Sequence, residues 1–320
     1  MKEDTTMAEK IATREAYGNA LAELGETYDF VVLDADLAAA TKTGVFKKKF
    51  PERFFDCGIA EGNMVCVASG VASTGKVVFA SSFAMFAAGR AFEQVRNCIG
   101  YPHINVKIGA THAGITVGED GATHQCNEDI ALMRTIPGMT IINPADATEA
   151  YAAVEAAINF YGPVYLRFGR YAVPDLSLAL PEYKFEIGKG VTMTDGNDVT
   201  IVASGITVHI ALEAAKLLAE QGIGARVINI HTIKPIDRDI LVKAARETGA
   251  ILTVEEHNII GGLGSAVCEV VAEECPVPVI RMGMMDEYGR SASADKLLEY
   301  YGYTAENIAN KAKDVIAKKK

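Results

Sequence analysis

The sequence NVKIGATHAGITVGEDGATHQ, residues 105–125, joins a short apolar run to a glycine-rich loop. Residues 105–110 have the composition of a β-strand. The stretch 109–125 carries four titratable side chains, namely His112, Glu119, Asp120 and His124. Its small residues let the backbone turn sharply and approach a ligand, and they are Gly109, Ala113, Gly114, Gly118 and Gly121. Open α/β sheets bind ligands at the carboxyl ends of their strands, so this stretch predicts a site there.

Two other interpretations of this loop compete with a site for an organic ligand. A glycine-rich surface loop whose polar groups are merely solvated would have a similar composition. A zinc site is disfavoured, because no histidine pair has helical spacing and no cysteine pair lies nearby. We therefore predict that no metal is held by this chain.

The composition bounds the class of protein. Hydrophobic residues make up 49% and charged residues 22% of the 320 residues, as in globular proteins. The formal net charge of -10 argues against a nucleic-acid partner. No apolar stretch is long enough to span a membrane, and the amino terminus is too polar for a signal peptide. Six scattered cysteines without a CxxC pair indicate reduced thiols, so we expect a cytoplasmic protein without a membrane partner.

Helical and strand-like segments alternate along the chain, which predicts an α/β fold with two doubly wound domains. We expect the first domain at residues 8–170, with a helix over residues 8–24 that feeds a strand ending near Asp36. Residues 171–197 hold turn signals and predict a linker. Residues 198–320 repeat the alternation and predict a second domain.

Three motifs, in this order and spacing, and one run further along the chain resemble those of transketolases. They are GIAEGNM (58–64), SSFAMF (81–86), THAGITVGEDGATHQ (111–125) and VEEHNIIGGLGSAV (254–267). The first three resemble the transketolase pyrimidine-binding domain, and the fourth resembles the transketolase carboxyl-terminal domain. The resemblance covers nearly the whole chain and implies an enzyme that transfers a two-carbon ketol unit with thiamin diphosphate.

The amino-terminal domain of transketolases has no counterpart in this sequence. In the family, that domain holds the diphosphate and its metal, Mg²⁺ or Ca²⁺, through a GDG motif followed by an asparagine. The nearest matches here, at residues 119–121 and 195–197, lack that form. The resemblance therefore implies the carboxyl-terminal half of a split transketolase. Its partner would be an amino-terminal subunit that holds the metal, in an assembly with two copies of each chain.

The resemblance also assigns residues to the cofactor. Glu61 matches the glutamate that hydrogen-bonds the aminopyrimidine, and its apolar neighbours Ile59, Met64 and Val65 would favour a partly neutral carboxyl group. Three further residues, Phe83, Phe86 and Asp36, match cofactor contacts. Without the resemblance, Glu61 would be a helix amino-terminal acid, the two phenylalanines would be core residues and Asp36 would belong to a turn.

Substrate contacts follow from the same resemblance. Asp120 and His124 match groups that bind the hydroxyls of the donor sugar, and we count both as catalytic together with Glu61. Groups that match the receptors of the substrate phosphate are His112, Arg170 and Arg14. A family serine that helps to hold phosphate is Ala40 here, which leaves the nature of the anionic group open.

Three alternatives remain at this point. The chain is similar in length to the beta subunit of 2-oxo acid dehydrogenases. Their substrates have no sugar hydroxyls, so Asp120 would have no hydroxyl to bind there. It also shares the DGxTHQ pattern with deoxyxylulose phosphate synthase, which usually has arginine at the position of His112. The third alternative, from another class, is a non-catalytic structural partner that kept the fold; the presence of Glu61, Asp120 and His124 argues against it.

Overall fold

The computed structural model describes residues 10–180 and 183–319, so residue 8, the expected start of the first domain, and residue 320, the expected end of the second, lie outside the described residues. The strands are β1 (Lys10–Ala12), β2 (Phe30–Asp34), β3 (Phe54–Asp56), β4 (Val77–Phe83), β5 (Val106–Thr111), β6 (Thr140–Ile142), β7 (Val164–Arg167), β8 (Ala172–Pro174), β9 (Val191–Thr194), β10 (Val199–Ala203), β11 (Ala225–Asn229), β12 (Thr232–Lys234), β13 (Ile251–Asn258) and β14 (Val279–Met284). The α-helices are α1 (Thr13–Leu24), α2 (Ala38–Thr41), α3 (Gly44–Lys49), α4 (Glu61–Ala72), α5 (Phe92–Gln94), α6 (Asp129–Arg134), α7 (Ala147–Asn159), α8 (Thr207–Ala219), α9 (Arg238–Thr248), α10 (Leu263–Glu274), α11 (Ala294–Tyr300) and α12 (Ala305–Ile316). Two π-helical segments, Met85–Arg90 and Val95–Gly100, flank α5.

The strands form two main sheets, as the alternating pattern predicts. The first has the order β12-β6-β7-β5-β4-β2-β3, and the second has the order β14-β13-β10-β11-β9. Neighbours within each sheet are parallel except at the edges formed by β12 and β9. Parallel strands need helical crossovers, and these cover the sheet faces. The predicted α/β class with two doubly wound units is confirmed.

Two short segments differ from the sequence-based interpretation. Residues 10–12 form β1, which pairs antiparallel with β8, so the first helix begins at Thr13. Residues 191–194, inside the expected linker, form β9 and pair with β11 of the second sheet. Strands of three or four residues are too short to show an alternating pattern, and only their pairing with distant strands stabilises them.

The second half of the chain also contributes a strand to the first sheet. β12 pairs antiparallel with β6, with Thr232 opposite Ile142. A continuous cluster of buried apolar residues joins the two sheets further, since it includes Met64 and Ile130 from the first unit and Leu241 and Val267 from the second. The two units therefore share a core.

The helices of the described residues include none that is both long and apolar enough to cross a bilayer.

Candidate functional site

The predicted site residues gather at the carboxyl edge of the first sheet. β4 ends at Phe83, β5 ends just before His112, and Arg170 follows the end of β7 by three residues. These strands are parallel neighbours, so their carboxyl ends lie side by side. The start of α1 is held at the same edge, because Thr13 Oγ1 accepts a hydrogen bond of 2.8 Å from the Gly169 amide. This contact places Arg14 beside Arg170.

The loop of residues 111–125 is held from the second unit rather than solvated. Glu256, on β13, accepts a 2.6 Å hydrogen bond from the Thr116 amide. A Cβ atom at Gly114, whose φ is 78°, would lie 2.3 Å from the Glu256 carboxyl carbon, so only glycine fits there. Gln125 donates hydrogen bonds to the carbonyls of Ile115 and, 2.8 Å away, Arg290. The second unit thus fixes the shape of the loop.

Both ring nitrogens of His112 have partners inside the protein. Nε2 lies 2.9 Å from Nη1 of Arg14, and Nδ1 lies 2.9 Å from Oγ1 of Thr111. Because a guanidinium can only donate, Nε2 accepts and Nδ1 carries the proton. Burial, followed by the charges of Arg14 and Arg170, lowers the pKa of His112 to about 3. His112 is therefore a neutral imidazole that orients Arg14.

We expect His112 to stay neutral between pH 5 and pH 8. The Cε1 resonance of His112, assigned by its loss in His112→Asn, should not move in that range, whereas histidines of the urea-unfolded chain titrate near pH 6.5. A histidine whose pKa is lowered by folding stabilises the protein above its unfolded pKa, and this stabilisation is lost as the pH falls.

The same shift gives a stability test. The free energy of unfolding of the wild type, relative to that of His112→Asn, should drop by about 2 kcal/mol between pH 7 and pH 5. A resonance that titrates near pH 6.5, or a pH-independent difference between the two proteins, would contradict a neutral His112.

Aromatic rings line the middle of the site. The ring centroids of Phe83 and His112 lie 3.8 Å apart, and those of Phe83 and Phe86 lie 5.7 Å apart. His124 meets Phe86 edge-on with a centroid distance of 5.4 Å. Phe83 is buried, whereas Phe86 and His124 are half-buried. Together, these rings form a flat surface, the aromatic wall, between the Arg14 end and the Glu61 end of the site.

Glu61 begins α4 and is 1% exposed. Its carboxylate Oε2 accepts a 2.8 Å hydrogen bond from Nη1 of Arg90. The expected apolar surroundings are present only in part, since Met64 and Val65 are buried but Ile59 is 75% exposed. Instead of a purely apolar pocket, the structure gives Glu61 an ion-pair partner.

The sequence did not predict a role for Arg90 in the site. Its guanidinium carbon lies 4.6 Å from the centroid of the Phe86 ring, so it stacks on that ring while it bonds Glu61. The signal in the sequence was a single basic residue in the apolar and small-residue run SSFAMFAAGRAF (81–92). Nothing in that run indicates that its partner is Glu61, which lies 29 residues away.

Asp120 and Arg170 form the polar rim of the site. Nη1 of Arg170 lies 3.5 Å from Oδ2 of Asp120 and donates a 2.5 Å hydrogen bond to the carbonyl of Val117. Arg14 donates to the carbonyl of Ala40 at 3.0 Å. Burial, then the charge of Arg170, lowers the pKa of Arg14, because two cations share this corner. A pair of guanidinium groups suits an anionic ligand.

Asp36 is the predicted residue with the fewest contacts to the others. It is exposed, has a φ of 63°, and its amide donates to Oδ1 of Asp56 at 3.0 Å. The buried acid of this segment is Asp34, whose carboxylate accepts hydrogen bonds from the hydroxyls of Thr41 and Thr43. The geometry places Asp36 at the carboxyl end of β2, on the same sheet edge, without a direct contact to the aromatic wall.

The glycine-rich segment at residues 261–264 holds no ligand cradle. The amides of Leu263 and Gly264, at the start of α10, donate to the carboxylate of Glu255 at 2.6 Å and 2.8 Å. A Cβ atom at Gly262 would lie 2.0 Å from a Glu255 oxygen. These glycines therefore allow β13 and α10 to pack closely, and the protein's own carboxylate occupies the helix start.

Comparison with known proteins identifies relatives over nearly the whole chain. The family model "Transketolase, pyrimidine binding domain" matches residues 9–175, and "Transketolase, C-terminal domain" matches residues 188–308. The solved structure "Split gene transketolase, inactive beta4 tetramer" is 52% identical, with a TM-score of 0.89, and the match covers 98% of this chain and 100% of that chain. The "Putative transketolase C-terminal section" of Methanocaldococcus jannaschii is 50% identical, with 95% and 96% of the two chains covered. The "6-deoxy-6-sulfo-D-fructose transketolase subunit SqwH" of Clostridium sp. (strain MSTE9) is 42% identical, with 96% and 95% covered.

Proposed function

Because this chain belongs to the transketolase family, we propose that it is the carboxyl-terminal subunit of a split transketolase. The enzyme would transfer a two-carbon ketol unit from a ketose phosphate to an aldose phosphate. One observation carries the proposal: a single sheet edge brings together the Glu61 carboxylate, the aromatic wall and the Arg14–Arg170 pair. These are the groups needed at the pyrimidine end of a thiamin site and at the anionic end of a sugar phosphate.

The described residues fit one half of thiamin diphosphate. Glu61 offers a buried carboxylate and Phe86 offers a half-buried ring face, and a flat cationic group already occupies both. Among the described residues, no group of three or more His, Cys, Asp or Glu side chains is placed to hold a metal ion. From the family resemblance, we propose that the partner subunit holds the diphosphate and its Mg²⁺ or Ca²⁺.

Glu61 is the proton-handling residue of this proposal. When bound, thiamin diphosphate would supply an acidic ring carbon as the nucleophile for ketol transfer. Glu61 would hydrogen-bond the aminopyrimidine nitrogen and control its protonation, while Phe83 and Phe86 would orient the ring and exclude water. Asp36 is proposed as a further cofactor contact, although it does not touch the aromatic wall in the free subunit.

The sugar lies between the aromatic wall and the two guanidinium groups. His124 and Asp120 hydrogen-bond the hydroxyls of the donor, and Arg14 and Arg170 bind its anionic group. His112 acts through Arg14, because it is neutral and both of its nitrogens are engaged. Since Ala40 supplies only a carbonyl oxygen, already bonded to Arg14, the identity of the anion rests on the arginines.

We expect Asp120→Ala to lower kcat/KM for xylulose 5-phosphate about 10- to 100-fold, because a hydrogen bond to a charged group contributes about 1.5–3 kcal/mol. Hydroxypyruvate carries the ketol unit without the neighbouring hydroxyls, so its kcat/KM should change much less. Steady-state kinetics with both donors test this, with Glu119→Ala as the matched control. An equal loss for the two donors would show that Asp120 does not bind the sugar hydroxyls.

The partner is proposed to be an amino-terminal subunit, in a cytoplasmic assembly with two copies of each chain. Self-association is supported by the solved relative, which is described as a β4 tetramer that is inactive. Light scattering on the purified mixture tests the stoichiometry. Complexes with one copy of each chain would contradict it.

The function is tested by ketol transfer from xylulose 5-phosphate to ribose 5-phosphate, with thiamin diphosphate and Mg²⁺. Activity is expected only when this chain is mixed with its amino-terminal partner. Turnover of pyruvate instead would favour a subunit of a 2-oxo acid dehydrogenase or a deoxyxylulose phosphate synthase. Transfer only from a sulfonated ketose would keep the reaction and change the substrate, whereas no turnover of any donor would favour a non-catalytic role.

A further inference from the structure

Arg90 occupies the position that the proposed function assigns to the aminopyrimidine. Its Nη1 bonds Oε2 of Glu61 at 2.8 Å, and its guanidinium carbon lies 4.6 Å from the centroid of Phe86. A guanidinium is flat, donates in a fork and stacks on aromatic rings. An aminopyrimidine ring would need the same carboxylate and the same ring face, so both groups cannot bind there together.

The two partners differ greatly in exposure. The Glu61 side chain is 1% exposed and the Arg90 side chain is 52% exposed. A buried carboxylate without a partner is strongly unfavourable, so Arg90 compensates Glu61 in the free subunit. Because Arg90 reaches Glu61 from the solvent side, it can leave without disturbing the core.

The surroundings offer Arg90 a second position. The lining of a cavity of about 640 Å³ between the two units includes Phe86 and Arg90. Three acidic residues, Glu128, Asp286 and Glu287, also line it and are called its acidic wall. A displaced guanidinium would therefore remain near negative charge.

We propose that Arg90 is a positioning residue for cofactor binding. In the free subunit, it pairs with Glu61 and occupies the pyrimidine slot, which is the space between Glu61 and Phe86. When the cofactor binds, Arg90 moves toward the acidic wall. This inference rests on the proposed function. While Arg90 occupies the slot, the cofactor cannot bind. The apparent affinity is therefore the intrinsic affinity multiplied by the fraction of molecules in which the slot is open. Arg90 thus lowers the affinity for the cofactor while it stabilises the unassembled chain.

The test compares Arg90→Ala with Arg96→Ala, a control at an exposed arginine on the neighbouring π-helical segment. Isothermal titration of thiamin diphosphate into the complex with the amino-terminal subunit should show a Kd at least about threefold lower for Arg90→Ala than for the wild type. Arg96→Ala should leave the Kd unchanged. Arg90→Lys, which keeps the charge but loses the flat fork, should lie between the wild type and Arg90→Ala.

A second readout needs no partner subunit. The Tm of the free chain should fall in Arg90→Ala, and it should change much less when Glu61→Gln has already removed the buried charge. A merely structural arginine would lower the Tm without tightening the cofactor. An unchanged or weaker affinity in Arg90→Ala, with normal binding by the wild type, would overturn only this inference. Absence of thiamin diphosphate binding by the wild-type complex would overturn the proposed function as well.

Discussion

Ketol transfer by the assembled enzyme is expected to fall at least roughly 100-fold when Glu61 is replaced by glutamine, in line with the contribution of general acid-base catalysis. Glutamine keeps the size of the side chain and can still accept a hydrogen bond, but it cannot exchange a proton with the aminopyrimidine. Because Glu61 begins α4 and is buried, its position is set by the helix and not by the ligand. The loss should therefore appear in kcat, with a smaller change in KM.

The rate is measured with saturating thiamin diphosphate and Mg²⁺, for complexes of equal stoichiometry. Glu93→Gln is the matched control, since Glu93 is an exposed glutamate on α5 and undergoes the same change of charge. The variant complex should remain assembled by light scattering. Wild-type turnover in Glu61→Gln would remove Glu61 from the mechanism.

The sequence predicts the architecture well where the signal is local. The alternation of helical and strand periods requires parallel sheets, and parallel strands end at one edge. For that reason Phe83, His112 and Arg170, separated by many residues, could be expected to meet. The bounds of three-residue strands such as β1 and β12 could not be expected, because only a distant partner strand selects them.

The state of each site residue depends on contacts that the sequence does not display. His112 was predicted to bind the substrate phosphate, yet its charge is determined by burial and by Arg14, 98 residues away. Glu61 was expected among apolar neighbours, but the chain folds Arg90 onto it. Glu256 lies in a motif of the second unit and still shapes the loop of the first. Residue type is local information, whereas protonation and orientation are tertiary.

An ion pair buried beneath the site joins β7 to α6 and to the second unit. Nε of Arg167 donates to Oδ2 of Asp129 at 2.8 Å, and the hydroxyl of Tyr165 donates to the same oxygen at 2.8 Å. Nη2 of Arg167 donates to the carbonyl of Glu256 at 3.0 Å. Arg167 and Asp129 are 3% and 0% exposed, so neither charge can be solvated if its partner is removed.

Arg167→Met is accordingly expected to lower the free energy of unfolding by about 3–5 kcal/mol, because it leaves the Asp129 carboxylate buried without its cation. The double variant Asp129→Leu/Arg167→Met removes both charges and should recover much of the loss, since an apolar pair can replace a buried ion pair. Urea unfolding at pH 7 measures the three proteins, with Arg238→Met, an exposed arginine paired to Glu273, as the control that changes little. If Arg167→Met unfolds at the wild-type urea concentration, or if the double variant is less stable than the single one, the buried pair does not stabilise the fold in this way.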